Sequence, residues 1–380
     1  MDFSLTHEQE DFVAAIRDFC SREAGTQEQR EKLTNGYELH HNFDLYKQMA
    51  ELGWLGVTIP EEYGGSGGSM LDACLFMEET SRGLASIGGY ATTLIVAGAT
   101  QRFGTDAQKK EILGGIAGGA VEAIAMTEPE AGSDVGALTT SAERVDGGFV
   151  LNGQKVFISN AHIADHILVV CRTTKGESKH DGLSMIWVPR ETKGLEIVPI
   201  KTMGGTDTNT LYLTDVEAPA GALLGQVDQA WTQLMAGLNV ERLILAATML
   251  GIAQRAFDDA LAYVKERKQF GRPIGSFQAL QHRLADMATE IESARLMTRW
   301  VAALTDEDPG RMLPREASMV KLHVTEIAKR VAVEGMQLMG GYGYSSEYDM
   351  ERLVRATMVS TIYGGTSEIQ RTIIAKTLGL

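Results

Sequence analysis

Residues 234–252 read LMAGLNVERLILAATMLGI. Leu234, Leu238, Glu241, Leu245, Thr248 and Ile252 recur at steps of four, three, four, three and four, the spacing of a stripe on which a helix packs. No proline interrupts residues 229–267, so one very long helix is expected there. A carboxylate thus stands in an apolar seam. Its neighbours three and four residues away are Gly237, Leu238, Ile244 and Leu245, so no cation of the same helix pairs with it, and Arg242 points elsewhere. Two readings fit. Desolvation raises a carboxylate's pKa toward the range of a general base; alternatively, Glu241 is neutralised by a tertiary partner, as in structural ion pairs.

Downstream, helical patterns cover 277–304, 314–339 (stopped by Gly340-Gly341), 347–359 and 366–378. Three of the helices reach about 40 Å or more with short connections, which makes a bundle over 226–380. Upstream, over 121–225, the period changes to two. Phe149, Leu151 and Val156 flank Asn152-Gly153, read as a turn, and short strands follow at 167–170, 183–188, 195–199 and 211–213. Strands at this spacing without intervening helices predict an antiparallel barrel or sandwich. Residues 1–120 read as helices: Thr6 and Gln9 form a capping box before Phe12, Val13, Ile16, Phe19 and Cys20, and further patterns cover 44–52, 71–82, 90–102 and 107–116. Between them, GWLGVTIPEEYGGSGGS (53–69) is a loop. The fold class is α+β and multidomain: an α-helical domain at 1–120, an antiparallel β-barrel or sandwich at 121–225, and a helical bundle at 226–380.

Composition narrows the function. The 380 residues are 44% hydrophobic and 22% charged; no apolar run approaches the roughly 18 residues of a membrane span, and MDFSLTHEQE has no signal-peptide character. A cytoplasmic protein that contacts no membrane is expected. Cys20, Cys74 and Cys171 are far apart and form neither a disulfide framework nor a metal-ligand pair, and the eight histidines include no HExxH pair, so no metal is expected. A net charge of -15 argues against nucleic acid. A phosphorylated ligand would need a local site, such as the basic cluster Lys265, Arg267, Lys268 and Arg272 or a turn that opens a helix.

Two nucleotide motifs fail. GFVLNGQK (148–155) has P-loop spacing but Gln154 where Lys belongs, and Gly341-Tyr342-Gly343 lacks the last glycine of GxGxxG and follows a helix. AMTEPEAGSDV (125–135) places Thr127, Ser133 and Asp134 on a bent backbone able to cradle a polar heterocycle, although a capped turn has the same appearance. In KVFISN (155–160), Phe157 and Ser159 share one face of a strand, where one can stack on a flat ring and the other can hydrogen-bond its edge.

Taken in order, LGWLGVTIPEEYGGSG, MTEPEAGSD, NGQKVFISN, LNVERLILAA, ERKQFG, MQLMGGYGY and IYGGTSEIQR resemble the acyl-CoA dehydrogenase family from the first helix to the last. The resemblance implies an N-terminal helical domain, a central β domain, a C-terminal four-helix bundle, bound FAD, an acyl-CoA substrate, a homotetramer, and electron transfer to an electron-transferring flavoprotein. Met126, Thr127 and Ser133 match contacts to the flavin, and Ser133 also one to the acyl-CoA. Phe157, Ile158 and Ser159 match the segment flanking the isoalloxazine ring. Arg267, Phe270 and Gln278 match positions reaching a neighbouring subunit's FAD, and Gln337, Gly340 and Gly341 the turn at its adenosine part. Thr366 and Glu368 match residues beside the FAD diphosphate, and Asn239, Arg242, Tyr363, Gly364 and Gly365 match residues at the substrate.

The departures are informative. Most members carry their catalytic Glu directly after the Tyr of a YEGT motif, but Tyr363 is followed by Gly364 and Gly365. A minority, resembling isovaleryl- and long-chain acyl-CoA dehydrogenases, carry it on the long helix in an LxxER sequence, which Leu238 to Arg242 fits. Phe157 replaces a common Trp and Ala356 a common Asp, and MGGTDT (203–208) is two residues short, without the usual Arg, in a loop bordering the flavin cleft. The resemblance implies that Glu241 removes an acyl-CoA α-proton while the β-hydrogen leaves as hydride to the flavin, giving a trans-2-enoyl-CoA. The resemblance also implies that the backbone N–H of Gly364 supports the developing enolate. An enoyl-CoA reductase, an oxidase, and a degenerate subunit of a heteromeric dehydrogenase are the alternatives.

Overall fold

The computed structural model describes residues 4–380, so the first three residues of the 1–120 segment lie outside the described part. The chain packs as two compact units. A helical unit comprises the chain up to Glu31, Ser69–Ala85 and Arg242–Leu380, and a sheet unit comprises Lys32–Gly68 and Ser86–Glu241. The division falls inside the helix Ala230–Glu266.

Local signals set the helix ends. The capping box at His7–Ala24 is present in both directions, Gln9 N–H donating to Thr6 Oγ1 and Thr6 N–H to Gln9 Oε1, each at 3.2 Å. Helix Pro314–Met339 starts on its proline and ends at Gly340, which has φ 61°. Its buried stripe, Ala317, Val320, Val324, Ala328 and Val331, packs against Gln278–Glu307, Met350–Met358 and Ser367–Thr377. Helix Met70–Arg82 packs against His7–Ala24 and Gln278–Glu307, and Gly251 is needed for close approach: a Cβ there would lie 2.1 Å from the carbonyl oxygen of Glu78. Several buried carboxylates in this unit are paired, Glu79 with Arg17, Glu78 with Arg295, and Asp349 with both Arg30 and Arg255.

The long helix corrects one expectation. Glu241, Leu245, Thr248 and Ile252 are only half-buried, whereas Leu243, Ile244, Ala246, Ala247, Leu250, Ala253 and Ala256 are fully buried. Arg242 is 8% exposed. This helix is apolar on more than one face, so two stripes satisfy the same spacing and periodicity does not say which is packed. The helix is also long and apolar enough, by length and composition, to cross a membrane, although the sequence shows no uninterrupted apolar run.

The sheet has eight strands: β1 (Glu122–Ala125), β2 (Ser141–Val145), β3 (Gly148–Ser159), β4 (His166–Arg172), β5 (Leu183–Pro189), β6 (Leu195–Thr202), β7 (Gly205–Pro219) and β8 (Leu223–Leu224). Their order is β6-β7-β3-β2-β4-β5-β8, with β1 beside β4. The expected antiparallel closed barrel or sandwich is corrected to an open mixed sheet, because β1 and β2 both run parallel to β4. The return after β1 passes through residues with no strand period, so its direction left no trace in the sequence. Asn152-Gly153 is likewise no turn. β3 passes straight through it with a register shift, and the hairpin closes one signal earlier at Asp146-Gly147. Gly153 is required because a Cβ there would lie 2.7 Å from Thr140 Cα. Alternate residues of β4 enter two cores: Leu168 and Val170 meet the helical residues Val96, Ile112, Leu113 and Ile116, while Ile167, Val169 and Cys171 meet Leu151, Leu211 and Leu213.

Candidate active site

In the sheet unit the two predicted ring-binding segments are fastened together. Lys155 stands in β3 on the inward side, fully buried, and its Nζ donates to Glu128 Oε1 at 2.8 Å and to the Met126 carbonyl at 3.0 Å. Glu128 also accepts from Thr139 N–H (2.6 Å), Thr139 Oγ1 (2.9 Å) and Thr140 N–H (2.8 Å). Burial alone would raise this carboxyl's pKa, but Lys155 and these donors bring it down to about 2. For Lys155 desolvation is the larger effect and lowers its pKa against the pull of Glu128. Val156 N–H donates to the Thr127 carbonyl at 2.9 Å, so Met126 and Thr127, both half-buried, lie alongside the Phe157 segment.

At Phe157 the strand breaks register, between Lys155 and Ile158. The backbone enters the left-handed region (φ 58°), rare for an aromatic residue, and the ring is 63% exposed. Ser159 is exposed as well. Ile158 points the other way into the core, 2% exposed, so its side chain is removed from the predicted site and only its backbone remains at hand. The bulge is buttressed from below. Asn209 Nδ2 donates to the carbonyls of Ile158 (3.0 Å) and Asp207 (3.1 Å), and Asn160 N–H to that of Asp207 at 2.7 Å. His40 Nδ1 bonds Asp207 Oδ2 at 2.6 Å, which holds the Asp207 carboxyl below its ordinary range although burial opposes it. The shortened loop closes as a tight β6–β7 turn, with Thr202 paired to Gly205. Ser133 and Asp134 are exposed, and Asp134 accepts from Lys179 at 2.7 Å. Glu241 and Asn239 are half-buried.

In the helical unit, Arg267, Gly340 and Gly341 line one open cavity of about 570 Å³ together with Tyr263 and Tyr342, and the Arg267 guanidinium lies 5.7 Å from the Tyr342 ring centroid. Gln337 is exposed near its rim-forming glycines in sequence but is not among its lining residues. Phe270 and Gly271 make the turn of a two-strand ribbon, Lys268–Gln269 with Arg272–Pro273, and leave the Phe270 ring 92% exposed; Gln278, also exposed, follows one residue after Phe277.

Elsewhere in this unit, Tyr363, Gly364 and Gly365 form a turn with φ 61° and 82° at the two glycines. Thr366 caps the helix Ser367–Thr377, its hydroxyl accepting from Ile369 N–H at 3.3 Å. Glu368 stands exposed in the first turn, its carboxyl held below the usual range by its own backbone N–H and by Thr366. Sequence reasoning missed Lys155 and Glu128, and beneath this turn Lys321 and Gln370. The signal was a lysine on an inward stripe: Lys321 falls in step with Ala317, Val324 and Ala328.

Comparison with known proteins decides the family. Residues 6–120, 123–216 and 228–379 match the models of the acyl-CoA dehydrogenase N-terminal, middle and C-terminal domains, and a probable acyl-CoA dehydrogenase, YngJ, of Bacillus subtilis is 40% identical over the whole of both chains. The chain belongs to the acyl-CoA dehydrogenase family. It is accordingly a flavoprotein oxidoreductase. The caffeyl-CoA reductase-Etf complex subunit CarC of Acetobacterium woodii is 35% identical over 94% of this chain and 95% of its own. Among solved structures, the acyl-CoA dehydrogenase of Geobacillus kaustophilus superposes with a TM-score of 0.92 at 36% identity, covering 99% of both chains. An FAD complex of PigA superposes at 0.91 and 28% identity, covering both chains completely.

The residues of this acyl-CoA dehydrogenase suit a flavin dinucleotide. An exposed aromatic ring and an exposed hydroxyl stand two residues apart in sequence at Phe157 and Ser159, groups of the kind that contact a flat heterocycle. Separately, the capped N-terminus at Ser367 and the arginine-and-glycine cavity at Arg267 are both suited to anionic phosphate.

Proposed function

We propose that this enzyme dehydrogenates the α,β-bond of an acyl-CoA thioester with FAD as its cofactor, using Glu241 as the base, and that its three domains are 1–120, 121–225 and 226–380. The observation that carries the assignment is the absence of any side chain after Tyr363 together with a carboxylate on the long helix: at Gly364 the turn retains a backbone N–H but no base. When bound, FAD supplies the acceptor for the β-hydrogen, taken as hydride. Glu241 takes the α-proton. The Gly364 N–H donates to the thioester oxygen as enolate charge develops. Phe157 and Ser159, with the backbone at Ile158 and the side chains of Met126, Thr127 and Ser133, hold the ring face, while Thr366 and Glu368 shape the helix end offered to the diphosphate. Asn239, Arg242, Tyr363 and Gly365 contact the substrate.

The exposed Phe270, Arg267, Gln278 and Gln337, with Gly340 and Gly341, serve a second copy's cofactor in a homotetramer. An electron-transferring flavoprotein accepts the electrons, and the protein works in the cytoplasm. Glu241→Gln keeps the shape and removes the basicity, so anaerobic stopped-flow flavin reduction by a panel of acyl-CoAs is expected to slow by about two orders of magnitude or more, with FAD content preserved. Reduction at the wild-type rate would refute Glu241. Similarity to the reductase-Etf complex subunit favours a second reading, in which the same site runs as an enoyl-CoA reductase. Oxidation of pre-reduced enzyme by enoyl-CoA much faster than reduction by acyl-CoA would select it.

A further inference from the structure

The turn Tyr363–Gly364–Gly365 is held from behind by two side chains with no exposed surface. Lys321, on the buried stripe of helix Pro314–Met339, donates from Nζ to the Gly365 carbonyl at 2.8 Å. Gln370, one turn into helix Ser367–Thr377, donates from Nε2 to the carbonyls of both Gly364 and Gly365 at 2.9 Å. A Cβ at Gly365 would come within 2.7 Å of that same Nε2, so the carboxamide and the turn are in close contact. The Lys321 ammonium also lies 5.9 Å from the Tyr363 ring centroid.

This arrangement is costly as mere packing. Burying an ammonium takes several kcal/mol even after relaxation, and here its Nζ donates to the backbone of the turn. Its effect is on geometry. Two adjacent glycines form the least constrained dipeptide a chain can contain, yet both sit in the left-handed region with their carbonyls drawn inward. A trans peptide directs its N–H opposite to its C=O. The two held carbonyls belong to the Gly364–Gly365 and Gly365–Thr366 peptides, and Tyr363 N–H is tied to the Val359 carbonyl at 3.1 Å, so the intervening Tyr363–Gly364 peptide, which carries the Gly364 N–H, is held between two anchored neighbours.

We propose that Lys321 and Gln370 are positioning residues: they clamp the Gly364–Gly365 turn so that the Gly364 N–H is aimed at the thioester oxygen, and the buried ammonium adds positive potential behind that donor. The inference rests on the reading of Gly364 as the enolate's hydrogen-bond donor. It extends that reading by naming what replaces side-chain bulk at position 364 in keeping the donor rigid.

The test uses the FAD-loaded enzyme and an acyl-CoA with sulfur in place of the β-methylene, which can lose its α-proton but has no β-hydrogen to transfer. Deprotonation of this probe beside oxidised flavin is read as a long-wavelength absorption band titrated against pH. Lys321→Met is expected to raise the midpoint by about one pH unit or more, a tenfold weaker enolate. It should also slow flavin reduction by a true substrate by about 10- to 100-fold, with KM changed less than threefold. Gln370→Met should move both in the same direction by less, and Lys321→Arg should restore part of the loss; a purely structural role would move neither the midpoint nor the ratio of kcat to KM.

If Lys321→Met does not accumulate as folded, FAD-loaded protein, Gln370→Met alone decides. Unchanged midpoints in the loaded variants, with the band present in wild type, overturn the clamp alone. A wild-type enzyme that gives no band at any pH overturns the reading of Gly364, and the clamp with it.

Discussion

Glu128→Gln isolates the fastening between the two ring-binding segments. In the wild type the Lys155 ammonium is fully buried against Glu128, 2.8 Å away, and the carboxylate satisfies three further donors at Thr139 and Thr140. The substitution leaves the ammonium buried with an amide in place of an anion. Removing one member of such a pair costs about 3–5 kcal/mol. For a unit of this size each kcal/mol lowers Tm by about 3 °C, so a fall of about 10–15 °C is expected in the transition of the sheet unit. The pH dependence has a definite sign. Because the folded carboxyl is depressed from 4.5 to about 2, its contribution is fully present above pH 4.5 and is lost as pH falls through that interval; the acid limb of stability should flatten in Glu128→Gln. Calorimetry and urea unfolding from pH 3 to 7 measure both effects. The double variant Glu128→Gln with Lys155→Met removes the stranded charge and should recover at least half of the loss, a non-additivity expected of contacting residues. A Tm shift under 3 °C in the single variant, or a double variant as unstable as the sum of the singles, would refute the reasoning. FAD affinity should fall with the single variant, since the Lys155 ammonium that holds the Met126 carbonyl loses the carboxylate that fixes it in place.

Three further outcomes follow from the same geometry. Gly251→Ala forces a methyl to within 2.1 Å of the Glu78 carbonyl, and unfolding should show a loss of about 1–3 kcal/mol or more; wild-type stability would mean that the helices separate freely there. His166, whose Nδ1 bonds buried Glu122 at 3.1 Å, has its pKa raised above 6.5 chiefly by that bond. The stabilisation is therefore complete below pH 6.5 and lost as pH rises through the folded value, and a Tm decline above pH 6.5 should diminish in His166→Asn. Arg267→Ala should weaken FAD binding about tenfold or more through loss of a charge-assisted bond to phosphate, measured by fluorescence of released flavin; unchanged affinity would reduce this basic cluster to a solvated surface.

Much of the helical framework was legible because its signals are local. Thr6 with Gln9, Pro314 as a first-turn residue and Gly340 as a stop each act within a few residues, so the capping box and helix Pro314–Met339 lie where the sequence puts them. The ordered family motifs, likewise readable without coordinates, identified the segments at 125–135, 155–160 and 363–368. Other features depended on contacts remote in sequence. Asn152-Gly153 carries a stronger turn signal than its surroundings, yet the pairing of β3 with both β2 and β7 makes it a bulge and shifts the hairpin to Asp146-Gly147. The parallel placement of β1 and β2 beside β4 has no local signature, so an antiparallel barrel was the simpler reading.

Residues 234–252 divide the two kinds of information most clearly. The sequence by itself determined that they are helical, that the helix is long, and that a carboxylate lies on one of its apolar stripes. Only the tertiary structure decided that the stripe through Leu243, Ile244, Ala247 and Leu250 is the buried one and that Glu241 stands half-exposed. It also placed Lys155 and Lys321, both fully buried, behind the segments the motifs had named. Periodicity records the spacing of side chains along one helix or strand, whereas burial and pairing depend on which surface the rest of the chain brings against it.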